Sequence, residues 1–397
     1  MNLTAPNNIG LCPERLQGLV HTLQSEVDCQ RLPGAVVMVA RHGQLALFES
    51  VGLLHPVART AMPKDALFRI YSMTKPIVSV AAMMLMEEGK LLLGEPVARY
   101  LPEFAAQQVL TVMDGREELQ AVRQSATVHD VLRHTAGLTY EFLGNTPLHR
   151  QYARLRLGIS ERSLSEFTQQ LAGLPLLFEP GTAFEYSRAT DVLGRVIEVI
   201  SGQSLPTFLR ERIFEPLGMS DTTFEVGEKH HHRIAEPFAH DPDGGLPMRV
   251  VDVRQQARPP LGGSGLVSTA MDYAQFLQCL LNRGVLGGVR LLGSQTVDFM
   301  TADHLGHLPV FGTGSRALLP VGYGFGLGFA VRKQRGMASV PGSAGTYFWG
   351  GLAGTTFFVD PHLDMFAMLM IQAPNQREYY RMLLTNRVYA AVLESGH

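Results

Sequence analysis

Cysteine is scarce in this sequence: Cys12, Cys29 and Cys279 are few, odd in number and far apart. They offer no disulfide framework and no CxxC metal pattern, so a reducing compartment is the default expectation. An excess of charge of one sign is missing as well. The formal net charge is −2 at pH 7, which gives no basic field for nucleic acid and no acidic tail. Long hydrophobic runs are absent, since the longest, Ile77 to Met86, falls well short of the ~20 residues that span a bilayer. The first residues, MNLTAPNNIGLCPERLQ, have neither a positive n-region nor an apolar h-region, so no secretory signal is expected. These absences lead to the expectation of a soluble, cytoplasmic protein with no nucleic-acid and no membrane partner. They say nothing about oligomeric state.

Lysine is the other rarity. Only Lys64, Lys75, Lys90, Lys229 and Lys333 occur, and only Lys75 has a serine three residues before it, in YSMTKP. The rest is ordinary for a globular chain of 397 residues, with 46% hydrophobic and 18% charged residues and no repeat or low-complexity tract.

Hydrophobic spacing places an amphipathic helix over 13–30 and two strands around a His42-Gly43 turn. A helix begins near Ser72 and stops at Gly89. A second clear helix follows Ser187, its expected N-cap, and ends at Gly202. The period-two run GYGFGLGFAV (322–331), TTFFVD and MFAMLMI read as strands, and a helix over 376–394 closes the chain. Strands at both ends with a helical, loop-rich middle predict an α/β (α+β) fold. Residues 1–90 and 265–397 would form the sheet domain and 91–264 a mainly helical insertion.

Positions i and i+3 share a helix face, so Lys75 can reach the Ser72 hydroxyl. Serine is a weak nucleophile until a neighbour takes its proton. Lysine can do so only if burial or nearby positive charge lowers its pKa from ~10.4. Pro76 is tolerable only in a first turn, so the helix start at Ser72 is expected to be tight or irregular. Tyr186, just before the Ser187 helix, is a second candidate, its phenol drawn below ~10 by an adjacent ammonium to relay protons. Trp349, the one tryptophan, precedes Gly350-Gly351, where bare backbone lets a ligand approach closely.

In that order, Ser72-x-x-Lys75, Tyr186-Ser187 and Trp349-Gly350-Gly351 resemble the three motifs of family VIII carboxylesterases. These are serine esterases similar to class C β-lactamases and penicillin-recognising peptidases. The stretches LFRIYSMTKP, VHDVLRHTAGLTY, PGTAFEYS, EPLGMSDTTF and GGSGLVSTAMDYAQF extend the resemblance over about 35 to 372. It implies an antiparallel sheet flanked by helices, Ser72 as nucleophile, and Lys75 and Tyr186 as shared general acid and base. It also implies an oxyanion hole from the backbone N–H groups of Ser72 and Leu352, with no metal and no cofactor.

The chain departs from class C β-lactamases in two places. Arg188 stands where Tyr-x-Asn has asparagine, and Trp-Gly-Gly replaces Lys-Thr-Gly. Trp349 offers an apolar wall rather than a carboxylate-binding charge, which favours a neutral ester, with weak β-lactam hydrolysis as a side activity. Arg188 is read as a surface pair with Asp191, or as a contact for an anionic acyl group. Acyl transfer to an alcohol, D-amino-acid peptidase activity and a catalytically silent scaffold are the alternatives.

Other signals are structural in this reading. GEKHHHR (227–233) is a solvated loop, His134 holds a loop, and Met83, Met84 and Met86 line core or cleft. No GxSxG elbow, GxGxxG or P-loop occurs.

Overall fold

The protein is described by a computed structural model covering residues 1–113, 116–155, 162–254 and 259–393. Its centre is an eight-stranded antiparallel sheet. The strands are β1 (Gly34–Arg41), β2 (Gln44–His55), β3 (Thr60–Ala61), β4 (Tyr323–Phe325), β5 (Ala330–Arg332), β6 (Tyr347–Gly350), β7 (Thr356–Asp360) and β8 (Met365–Ile371), in the spatial order β4-β5-β6-β7-β8-β1-β2-β3. The first and last parts of the chain meet where β1 pairs with β8, Val37 opposite Leu369.

Every residue of β1 and β8 is buried. An antiparallel sheet with one wet face would alternate, so both faces of this one are covered. Helix α1 (Pro13–Asp28) packs against the sheet and against the last helix, while α4 (Ala270–Leu281) lies on β1 and β8. The last helix, α6 (Arg377–Ala390), is shorter than the 376–394 expected, and position 394 lies outside the described residues.

The other helices needed here are α2 (Thr74–Glu87), α3 (Ala189–Ser201) and α5 (Gly312–Leu318). Buried α2 packs on α3, which brings the Ser72 and Tyr186 segments together. The middle of the chain is mostly helices and loops, as expected, but it also holds a two-stranded hairpin, Gln108–Met113 with Arg116–Ala121.

Three expectations need correction. The run 322–331 is not one strand but the hairpin of β4 and β5. Gly328 at its turn has φ +98°, and a Cβ there would lie 2.6 Å from Ser79 Oγ. The alternating glycines admit close neighbours rather than forming a bare strand face. Ser187 sits one residue before the N-cap, which is Arg188; its Oγ accepts from Ala189 N–H at 3.3 Å. The histidine segment winds into a short 3₁₀ helix, Glu228–Arg233, with none of its residues buried. Among the described residues no group of metal-ligating side chains gathers, and no helix is long and apolar enough to cross a membrane.

Candidate active site

The site begins with a bend. Tyr71 has φ +42°, a left-handed conformation rarely adopted by a bulky residue. Ser72 follows inside a single 3₁₀ turn, Tyr71–Met73, which feeds α2 at Thr74. This is the irregular start that Pro76 requires. The turn is tied down from outside: Ile70 N–H donates to Leu266 O (3.1 Å), Leu266 N–H to Thr74 Oγ1 (3.1 Å) and Tyr273 OH to Met73 O (2.9 Å).

One turn on, Lys75 is fully buried. Its Nζ donates to Ser72 Oγ at 3.4 Å, to Tyr140 OH at 3.0 Å and to Gly263 O at 2.6 Å. It also lies 4.6 Å from the centre of the Tyr186 ring and 5.3 Å from that of Tyr140. Burial penalises the ammonium and pushes the Lys75 pKa down to about 7, with Asp191 resisting and Arg188 assisting. An amine so poised is in part free base near neutral pH and can take a proton from Ser72.

Tyr186 is buried at the entry to α3, and its OH accepts from Trp349 Nε1 at 3.3 Å. The lowered phenol pKa expected from the sequence is not found. Burial raises it well above the ordinary value, with Ser72 and Trp349 offsetting this only in part. The Lys75 ammonium faces the ring rather than the oxygen. Tyr186 therefore stays a neutral hydroxyl that can donate to a leaving group and pass a proton on, rather than a standing phenolate.

Trp349 is the penultimate residue of β6, just before Gly350, and its ring lies 5.2 Å from both Tyr186 and Phe325. It is a wall, as expected, but one whose N–H also holds the Tyr186 oxygen. Gly351 is pressed between Thr355 and Ile70: a Cβ would lie 2.4 Å from Thr355 Oγ1 and 2.5 Å from Ile70 O. That packing sets the following residue, Leu352, beside the Ser72 turn. Leu352 is 42% exposed, and its N–H donates to no acceptor among the described residues. Ser72 is in the first turn of its helix, where an N–H has no intrahelical acceptor. Two N–H groups beside one hydroxyl can receive a developing oxyanion.

Arg188 is not the surface group expected. It is 5% exposed, bonded to Glu141 at 2.6 Å, 3.6 Å from Asp191, and laid over the Tyr140 ring at 4.7 Å. His134 does hold a loop: its Nδ1 lies 3.1 Å from Ser187 Oγ, and its ring contacts Phe184, Tyr186 and Phe325. Met83 and Met84 are core residues. Sequence reasoning missed Tyr140 and Gly263, and took Asp191 only for a surface partner of Arg188. Tyr140 ends the quoted stretch VHDVLRHTAGLTY, yet nothing in that stretch marks it as a partner of a lysine 65 positions away.

Two cavities meet at Ser72. A smaller one of about 140 Å³ is lined by Ser72, Tyr186, Trp349, Gly350, Gly351 and Arg377 among others. A larger one of about 580 Å³ runs past Arg188, Phe224, Val251, Val253 and Leu261. Ser72, Phe142 and Leu352 border both.

A serine and a buried, deprotonatable lysine at the head of a helix, against an antiparallel sheet, define a serine hydrolase of the penicillin-recognising kind. The comparisons agree. The family model described as Beta-lactamase matches residues 19–391. Esterase EstB of Burkholderia gladioli is 35% identical over 365 residues, 86% of each chain. Lovastatin esterase of Penicillium rubens is 30% identical over 378 residues, 89% of this chain and 92% of that one. The solved structure of EstCE1, described as a hydrolase with promiscuous acyltransferase activity, superposes with a TM-score of 0.79 at 28% identity, covering 95% of this chain and 99% of its own. The chain belongs to the beta-lactamase family, as a serine hydrolase of the family VIII carboxylesterase type.

Proposed function

We propose that the protein hydrolyses small to medium acyl esters through an acyl-Ser72 intermediate. The observation that carries this is the Lys75 amine, buried, pushed down to about 7 and 3.4 Å from Ser72 Oγ. Lys75 takes the Ser72 proton as Oγ attacks the ester carbonyl, and the oxyanion rests on the N–H groups of Ser72 and Leu352. Tyr186 hands a proton to the departing alcohol. Water then attacks the acyl-enzyme by the reverse relay, returning Ser72 and releasing the acid.

Trp349, Gly350 and Gly351 stand in the smaller cavity where class C β-lactamases carry Lys-Thr-Gly, and Arg377 and Arg381 border the same cavity. The apolar Trp349 wall in place of that lysine favours a neutral ester, with weak β-lactam hydrolysis as a side activity. Arg188, already paired with two carboxylates, serves the site's charge balance rather than an anionic acyl group. No step requires a metal or organic cofactor. The segments 1–90 and 265–397 act as the sheet domain and 91–264 as the insertion that roofs the cleft. Three free cysteines, one of them exposed, suit a reducing, cytoplasmic setting.

Acyl transfer to an alcohol is the second reading. It draws on EstCE1, and both readings share the acyl-Ser72. The test is p-nitrophenyl butyrate turnover by wild type and Ser72→Ala, with and without an alcohol acceptor. Free acid as main product supports the esterase, ester product with acceptor supports the transferase, and undiminished activity of Ser72→Ala rejects both.

A further inference from the structure

Lys75 and Arg188 are two buried basic groups over the same Tyr140 ring, and Asp191, which has no exposed surface, reaches the first through Gly263 and the second directly. A buried charge persists only when it is compensated. Asp191 Oδ1 accepts the Gly263 N–H at 2.7 Å, and the Gly263 carbonyl accepts Lys75 Nζ at 2.6 Å. Only glycine fits there. A Cβ would stand 2.9 Å from Asp191 Oδ1, 3.0 Å from Tyr140 OH and 3.2 Å from Lys75 Nζ, so carboxylate and amine flank one point. On the far side of Asp191, Arg188 lies 3.6 Å away and gives its shorter bond to Glu141.

We propose that Asp191 is the positioning residue for Lys75: through Gly263 it holds the amine against Ser72, and its charge, opposed by Arg188, fixes the pH at which that amine is free to take the serine proton. The proposal rests on the general-base role of Lys75 given above. In the step itself the Ser72 O–H breaks, its proton goes to the Lys75 nitrogen lone pair, and the oxygen pair forms the bond to the ester carbon. Burial raises the Asp191 pKa, and Arg188, Lys75 and the Gly263 N–H oppose that rise and favour its carboxylate form; it touches no reacting atom.

The balance follows from the groups that face the amine. Asp191 stabilises the ammonium and Arg188 opposes it. Tyr140, Tyr186 and Ser72 approach as neutral hydroxyls or rings, His134 stands behind Tyr186, and Glu141 faces Arg188 rather than Lys75. Without Asp191, burial and Arg188 together leave Lys75 neutral but only feebly basic, and a weaker base accepts the serine proton less readily. Without Arg188, the ammonium persists to higher pH and the free base becomes scarce at neutrality.

The test is the pH dependence of kcat/KM for p-nitrophenyl butyrate, and of Ser72 labelling by a p-nitrophenyl phosphonate, in Asp191→Asn, Arg188→Gln and the double variant. A neighbouring opposite charge moves a pKa by roughly one to three units. The acid limb of Asp191→Asn is therefore expected about that far below wild type, with a lower plateau. The limb of Arg188→Gln is expected above wild type, and the double variant between the two. A merely structural role would lower rates without moving limbs in opposite directions. A folded Asp191→Asn with an unmoved limb overturns the proposal, as does an Arg188→Gln limb that stays or moves down. Should Asp191→Asn fail to fold, the Arg188→Gln limb decides alone. Failure of the underlying reading looks different: a wild type with no acid limb, or an active Ser72→Ala, removes the base role of Lys75 and the proposal with it.

Discussion

Replacing Gly351 by alanine tests the oxyanion hole without touching any side chain that reacts. The added Cβ would lie 2.4 Å from Thr355 Oγ1, 2.5 Å from Ile70 O and 3.1 Å from Ile70 C. Thr355 can rotate away, but Ile70 O is backbone, two residues before Ser72. The Leu352 turn and the Ser72 turn must therefore part by roughly 1 Å to reach ordinary contact distances. A misplacement of that size costs about 10²-fold, and losing one oxyanion donor about 10²–10³-fold in kcat. Overpacking should cost about 1–3 kcal/mol of stability, which leaves a folded enzyme. The expected result is a kcat lower by about 10²-fold, a KM within a few-fold of wild type, and slowed labelling of Ser72 by the phosphonate. Gly350→Ala is the comparison. Its Cβ meets Thr355 O at 3.1 Å and Thr356 Oγ1 at 3.5 Å, so its effect should be distinctly smaller. A folded Gly351→Ala with kcat within threefold of wild type would refute the placement of the oxyanion hole at this turn.

The remaining predictions concern the base and its neighbours. Because Lys75 must be neutral to act, kcat/KM should fall as pH drops through about 7 and level off above it; a flat profile from pH 5 to 9 would contradict this. Tyr140→Phe removes the 3.0 Å bond to Lys75 Nζ, worth about 1 kcal/mol, and should lower kcat roughly fivefold in steady-state assays with little change in thermal midpoint. Trp349→Phe deletes the N–H that holds the Tyr186 oxygen. Its loss should be larger for alkyl esters, whose alcohols need a proton to leave, than for p-nitrophenyl esters; equal losses would argue against Tyr186 as the acid.

What the sequence made legible is what depends on local spacing. Ser72 and Lys75 sit one turn apart on a helix, and that spacing alone put the hydroxyl and the amine within reach of each other. The helices at 13–30 and 72–89 and the strands at either end followed from periodicity, and three ordered motifs pointed to the family. What was not legible depends on contacts across the fold. Tyr140 and Gly263 reach Lys75 from loops 65 and 188 residues away, and no local pattern announces either. Arg188 was misread because an i, i+3 pair with Asp191 looks like a surface ion pair. Only the packing of Tyr140 and Phe167 against its guanidinium shows that both charges are interior. The Tyr186 phenol went the other way from expectation because the sequence suggested a nearby ammonium but could not show that it faces the ring, or how completely the hydroxyl is desolvated. The glycines of 322–328 kept period two, yet they mark a hairpin whose turn lies against α2.

The central claim is that Ser72 carries the acyl group. The measurement that tests it most directly is an intact mass spectrum taken during turnover of p-nitrophenyl butyrate, followed by mapping of the modified peptide. A single butyryl adduct on Ser72 that appears with the p-nitrophenol burst and decays with turnover is the predicted result. An adduct on any other residue, or Ser72→Ala turning over at the wild-type rate, would contradict the account.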